Sequence, residues 1–65
     1  MKRIVYKIPT DTYEADGEWR TSIGITHTSS IVVGREYSII KLRATDEQAT
    51  LIALCRNVTS IMEDK

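Results

Sequence analysis

The dipeptide Asp16-Gly17 is the feature that most restricts how this chain can fold. Both residues tolerate the positive φ of a type I′ turn, and Asp-Gly between apolar stretches is the strongest short hairpin signal a sequence carries. A two-residue loop there sets a pairing in which Ala15 opposes Glu18, Thr12 opposes Thr21, Ile8 opposes Ile25 and Tyr6 opposes His27. That register gathers Ile4, Tyr6, Ile8, Trp19, Ile23 and Ile25 on one face, and a slip of one residue would scatter them. Pro9 cannot donate to a ladder, so the strand over residues 2–15 is expected at a sheet edge or broken at Pro9.

Residues 30–43 are rich in β-branched side chains and predict a short strand at 31–33 and a longer one at 36–43, with Gly34 as the turn or bulge between them. Ile40 and Leu42 are expected inward, Tyr37 and Ile39 outward. Thr45-Asp46-Glu47-Gln48 then reads as a capping box, with two acids at the positive end of the helix dipole. In the helix that follows, Leu51, Leu54, Cys55, Val58, Ile61 and Met62 fall within about 120° of the circumference and are expected to lie on the sheet. Ile52 falls outside that stripe, where it would widen the core or face a partner. The expected fold is α+β: a three- to four-stranded antiparallel sheet, hairpin first, then one C-terminal amphipathic helix, all in a single domain over residues 1–65.

A 65-residue chain has a thin stability margin and often leans on disulfides, a metal or another chain. Cys55 is the only cysteine and His27 the only histidine, so neither a disulfide nor a zinc site is expected, and no cofactor. Self-association is the remaining support, most simply a homodimer. Nine basic residues balance nine acidic ones, which argues against a dedicated nucleic-acid binder. No apolar run reaches the roughly 20 residues of a membrane span. Met1-Lys2-Arg3 leads into no apolar signal-peptide core, and a lone cysteine fits a reducing, cytoplasmic setting.

Catalysis needs a nucleophile or an acid–base pair held by a third group. His27 beside Ser29 and Ser30 reads as a strand-end histidine, and Cys55 as a small buried hydrophobe. Asp46 and Glu47 are explained by capping, and no phosphate-binding glycine loop occurs. No enzyme is expected. The hairpin tip joins Tyr13 and Trp19 to Glu14 and Glu18, and aromatics are favoured interface anchors. With Tyr37, Ile39 and Ile52 they make the expected surface for a larger protein, in the manner of the small phage and mobile-element proteins that block a host protein. One alternative is a nucleic-acid regulator using Arg3, Lys7, Lys41 and Arg43 as a basic sheet face, if the strand carrying Lys41 lies beside the first. Another is a small-ligand pocket at an oligomer interface near His27.

Overall fold

The computed structural model describes residues 1–63. The chain runs β1 (Lys2–Pro9), a 3₁₀ turn (Thr10–Thr12), α1 (Tyr13–Ser22), β2 (Ser30–Val33), β3 (Tyr37–Ala44), α2 (Asp46–Cys55) and β4 (Asn57–Glu63). The four strands form one sheet in the order β2-β3-β1-β4, with every neighbour antiparallel. β1 and β2 are therefore parallel with β3 between them, and β3 and β4 are parallel with β1 between them. Two interleaved β-α-β units of this kind make the split βαβ arrangement. Both helices lie on one face of the sheet. Ile4, Tyr6, Ile8, Ile40, Leu42 and Ala44 from the strands pack there with Ile25, Ala49 and Ile52, all buried.

The α+β class and the antiparallel sheet agree with the sequence reading, but the hairpin around Asp16-Gly17 does not form. Residues 13–22 are α1 instead, and Gly17 has no positive φ. Gly17 serves close packing: a Cβ there would stand 3.3 Å from Nη2 of Arg20, one turn on. The glycine that does need a left-handed backbone is Gly24, at φ 89°. It ends α1 in a Schellman turn, in which the Ile25 amide donates to the Arg20 carbonyl at 2.9 Å and the Gly24 amide to the Thr21 carbonyl at 3.0 Å. Gln48 of α2 donates its side-chain amide to the Ile23 carbonyl at 3.0 Å and ties the two helices together. The strand expected over 2–15 stops at Pro9, and β1 sits in the centre of the sheet instead of at its edge. Proline is tolerated there because it is the last residue of the strand.

β2 and β3 fall within one residue of expectation, and Ile40 and Leu42 point into the core with Tyr37 and Ile39 on the other side. Gly34 shapes the turn between them, where a Cβ would come within 2.5 Å of the Tyr37 carbonyl oxygen. The capping box of α2 is fully formed, with Thr45 N donating to Oε1 of Gln48 at 2.9 Å and Gln48 N to Oγ1 of Thr45 at 3.2 Å. The helix is neither C-terminal nor long. It ends at Cys55, Arg56 turns extended, and residues 57–63 become β4. The reason is the second edge of β1: without β4 its outward amides and carbonyls would lack ladder partners. Once 57–63 leave the helix, the expected stripe loses half its members and the buried row is Ala49 and Ile52. Ile52 is fully buried, so it is core and not partner surface, whereas Leu51, Leu54 and Cys55 are exposed. Val58 is half-buried at the core margin, and Ile61 and Met62 are exposed on β4.

Candidate interaction surface

The helices cover one face of the sheet and leave the other open. Alternation along the strands decides what the open face carries. From β1 it takes Arg3, Val5 and Lys7; from β3 it takes Tyr37, Ile39, Lys41 and Arg43. The register sets Arg3 beside Arg43, Val5 beside Lys41 and Lys7 beside Ile39. Val32 of β2 lies next to Ile39, and Ser60 and Met62 of β4 flank Val5 and Arg3. A shallow groove of about 310 Å³ runs between Arg3, Val5, Lys41, Ser60 and Met62. The Lys7 ammonium stands 4.1 Å from the centroid of the Tyr37 ring, a cation–π contact of about 0.5–1 kcal/mol at an exposed site.

The face is one-sided in charge. Arg3, Lys7, Lys41 and Arg43 all lie on it, and among the described residues no acidic side chain does. The acids sit on the helical side and in the turns: Asp11, Glu14, Asp16 and Glu18 in or before α1, Asp46 and Glu47 at the start of α2, Glu36 in the β2–β3 turn. Glu63 of β4 faces the covered side, 3.7 Å from the Lys2 ammonium. Among the described residues, charge is therefore unevenly divided between the two sides of the sheet. Of the residues singled out from the sequence, the basic set is thus brought together, and Tyr37 and Ile39 join it. Tyr13, Glu14, Glu18 and Trp19 stand apart from it on α1. Tyr13 and Trp19 are partly buried against the core, Glu14 and Glu18 are exposed.

Beneath α1 lies a polar cluster that sequence reasoning missed. Asp16 is buried at 2% exposure, and three groups converge on its carboxylate. The Tyr6 hydroxyl donates to Oδ2 at 2.8 Å, Arg56 Nε donates to Oδ1 at 2.6 Å, and Arg20 Nε approaches Oδ2 at 3.3 Å. The Arg56 guanidinium also stacks 3.8 Å from the Trp19 ring centroid and donates to the Cys55 carbonyl. Burial, and after it the bond to the Asp16 carboxylate, push the Tyr6 hydroxyl well above its ordinary pKa, so it stays a donor at any physiological pH. The signal was present as Asp16 and Arg20 four residues apart on a helix. Reading Asp-Gly as a turn hid it. The cluster orders α1 against β1 and the α2–β4 junction, and Nη1 of Arg20 within it is buried with no hydrogen-bond partner.

His27 lies exposed in the loop after α1, beside a cleft of about 550 Å³ lined by Gly24, Thr26, His27, Arg43, Thr45 and Gln48 among others. Ser29 lines the same cleft. Cys55 is exposed and not, as expected, buried; it ends α2 just before the chain turns into β4. Asn57-Val58-Thr59 lies in β4, with the Thr59 hydroxyl donating to the Val5 carbonyl at 3.2 Å. Among the described residues no group of three His, Cys, Asp or Glu is placed to hold a metal, and no helix is long and apolar enough to cross a membrane. Comparison with protein-family models, curated proteins and solved structures finds no match for the chain.

Proposed function

We propose that this chain is a non-catalytic interaction module that grips a larger, acidic protein through its open sheet face, as a small inhibitor or adaptor. The observation that carries the reading is the composition of that face: Lys7 and Lys41, with Arg3 and Arg43 on the same face, around an apolar set of Val5, Val32, Tyr37, Ile39 and Met62. Interfaces combine a desolvated apolar centre with a polar rim, and complementary charge selects the partner and speeds encounter. The α1 surface with Glu14 and Glu18 would then face away from the partner. The proposal includes a cytoplasmic setting, on the ground that the one cysteine has no second thiol in the chain to pair with.

A second reading follows from the same cations, because Lys7 and Lys41, with Arg3 and Arg43 on the same face, also suit a nucleic-acid backbone. Against it, Tyr37 is the one aromatic side chain on the face and its ring already carries Lys7, which leaves no row of rings for base stacking. Capture from the native host with the immobilised chain and with a Lys7→Glu/Lys41→Glu variant separates the two, run beside salt elution from single-stranded DNA. The protein reading predicts one prominent protein retained by the wild type, lost by the variant, with weak DNA retention. Strong DNA retention falling steeply with salt, and no specific protein, would replace it with the nucleic-acid reading.

A further inference from the structure

The two outer strands of the sheet differ in how they are finished. β4 carries a register irregularity opposite Val5 and Tyr6 and ends in the Lys2–Glu63 ion pair, both of which discourage pairing with another chain. β2 is Ser30-Ile31-Val32-Val33, with no charge, no proline and no bulge, and Val32 and Val33 are 58% and 59% exposed. Apart from its shortness, four residues, none of the usual devices blunts this edge. In an antiparallel ladder, alternate residues turn both backbone groups to the same neighbour. The Gly34 amide donates to the Tyr37 carbonyl at 3.0 Å, so Val32 and Ser30 turn toward β3, and Ile31 and Val33 present their amides and carbonyls outward.

We infer that β2 is a homodimerisation edge: two copies pair β2 to β2 in antiparallel fashion about a two-fold axis at Val32, joining their sheets into one of eight strands. The register is set by what faces outward. With Val32 opposite the partner's Val32, Ile31 stands opposite the partner's Val33, and these residues exchange N–H···O=C bonds in both directions. Every apolar residue of the strand then meets an apolar residue on the same face. A shift by two residues would set Val32 and Val33 against serines. A second copy fits better than an unrelated chain because the strand is uncharged and its pattern self-complementary in this register. Self-docking through the open face is disfavoured, since it would set the Lys7 and Lys41 ammonium groups of one copy against those of the other.

The two-fold axis stands perpendicular to the sheet, so both open faces lie on the same side. Val32 and Ile39 of the two copies form an unbroken apolar strip across the seam, and the cations of both flank it. This inference does not depend on what binds the open face. Four residues a side make a small interface, so association is weak, with a dissociation constant on the order of 10–1000 µM.

Sedimentation velocity from about 5 µM to 1 mM tests the inference, this range spanning the expected constant. The wild type is expected to shift from monomer to dimer across it. Val32→Lys sets two ammonium groups opposite each other on the axis and should weaken the dimer by about tenfold with an unchanged circular dichroism spectrum. In a Cys55→Ser background, Val32→Cys should oxidise to a linked dimer, because a non-hydrogen-bonded pair has Cα atoms about 4.5 Å apart, within disulfide reach. Thr59→Cys, on β4, should stay monomeric in the same background. A monomer up to 1 mM, a dimer indifferent to Val32→Lys, or equal cross-linking through Thr59→Cys would each overturn the inference.

Discussion

The two faces of the sheet are built from the same strands, one residue out of step, and they treat charge in opposite ways. On the covered face the buried carboxylate of Asp16 is enclosed by Tyr6, Arg20 and Arg56, and Arg56 is further pinned on Trp19. On the open face Lys7 and Lys41 stand among apolar side chains, with Arg3 and Arg43 on the same face. Each face has a cation on an aromatic ring, but the Arg56–Trp19 pair is locked into a buried network while the Lys7–Tyr37 pair is at the surface. Charges taken from water must be paired, or folding fails. Charges left in water cost the fold little. The covered face is constrained by stability, and the open face is the one proposed for recognition.

Substitutions that act on only one face sharpen this contrast. The largest effect is expected from Asp16→Ala, which leaves the buried Arg20 and the partly buried Arg56 without their counter-charge. Breaking such a network by removing one partner costs about 3–5 kcal/mol, comparable to the whole margin of about 3–5 kcal/mol for a domain of this size. Circular dichroism at 25 °C should show a largely unfolded chain. Ile52→Ala should cost about 2–5 kcal/mol in urea unfolding as a core truncation. Leu54→Ala, one turn of thought away in the sequence but 78% exposed, should stay within about 0.5 kcal/mol. Equal costs for the two would break the account of which helix face is buried.

A smaller effect separates Tyr6 from the exposed tyrosines. The unfolded chain ionises its tyrosines near pH ~10, whereas folded Tyr6 holds its proton well above that. Above pH ~10 the folded state therefore binds more protons than the unfolded one, and stability contributed by Tyr6 falls as pH rises. Stability measured from pH 8 to 11 should decline more steeply in the wild type than in Tyr6→Phe, by up to about 1.4 kcal/mol per pH unit. Parallel curves would mean that Tyr6 is not held protonated by burial and Asp16.

The sheet was legible where local signals agreed with tertiary demand. Ile4, Tyr6 and Ile8 share a buried face, Ile40 and Leu42 join them, and Thr45 and Gln48 cap α2 as their spacing implied. The basic face was legible too, conditional on β3 lying beside β1, which it does. The first helix was not, because Asp16-Gly17 is a strong turn signal whose glycine is used for packing against Arg20. The competing signal is Ile23-Gly24-Ile25, a helix stop of the Schellman kind whose two isoleucines also fit the alternation of a strand. The end of α2 was hidden for a different reason. Val58, Ile61 and Met62 continue a helical apolar spacing, and only the unfilled edge of β1, a tertiary fact, draws them into a strand. That error in turn misplaced Ile52 and Cys55.

The most direct test of the open face as the working surface is a methyl NMR footprint of the protein bound to the acidic partner it captures. The account predicts that the methyl signals of Val5, Val32, Ile39 and Met62 shift or broaden on binding, while those of Ile8, Ile40 and Ile52 on the covered face, and of Leu51 and Leu54 on the outside of α2, hold their positions. Perturbation centred on Leu51 and Leu54, with Val5 and Ile39 unmoved, would contradict it and move the binding surface to the helical side.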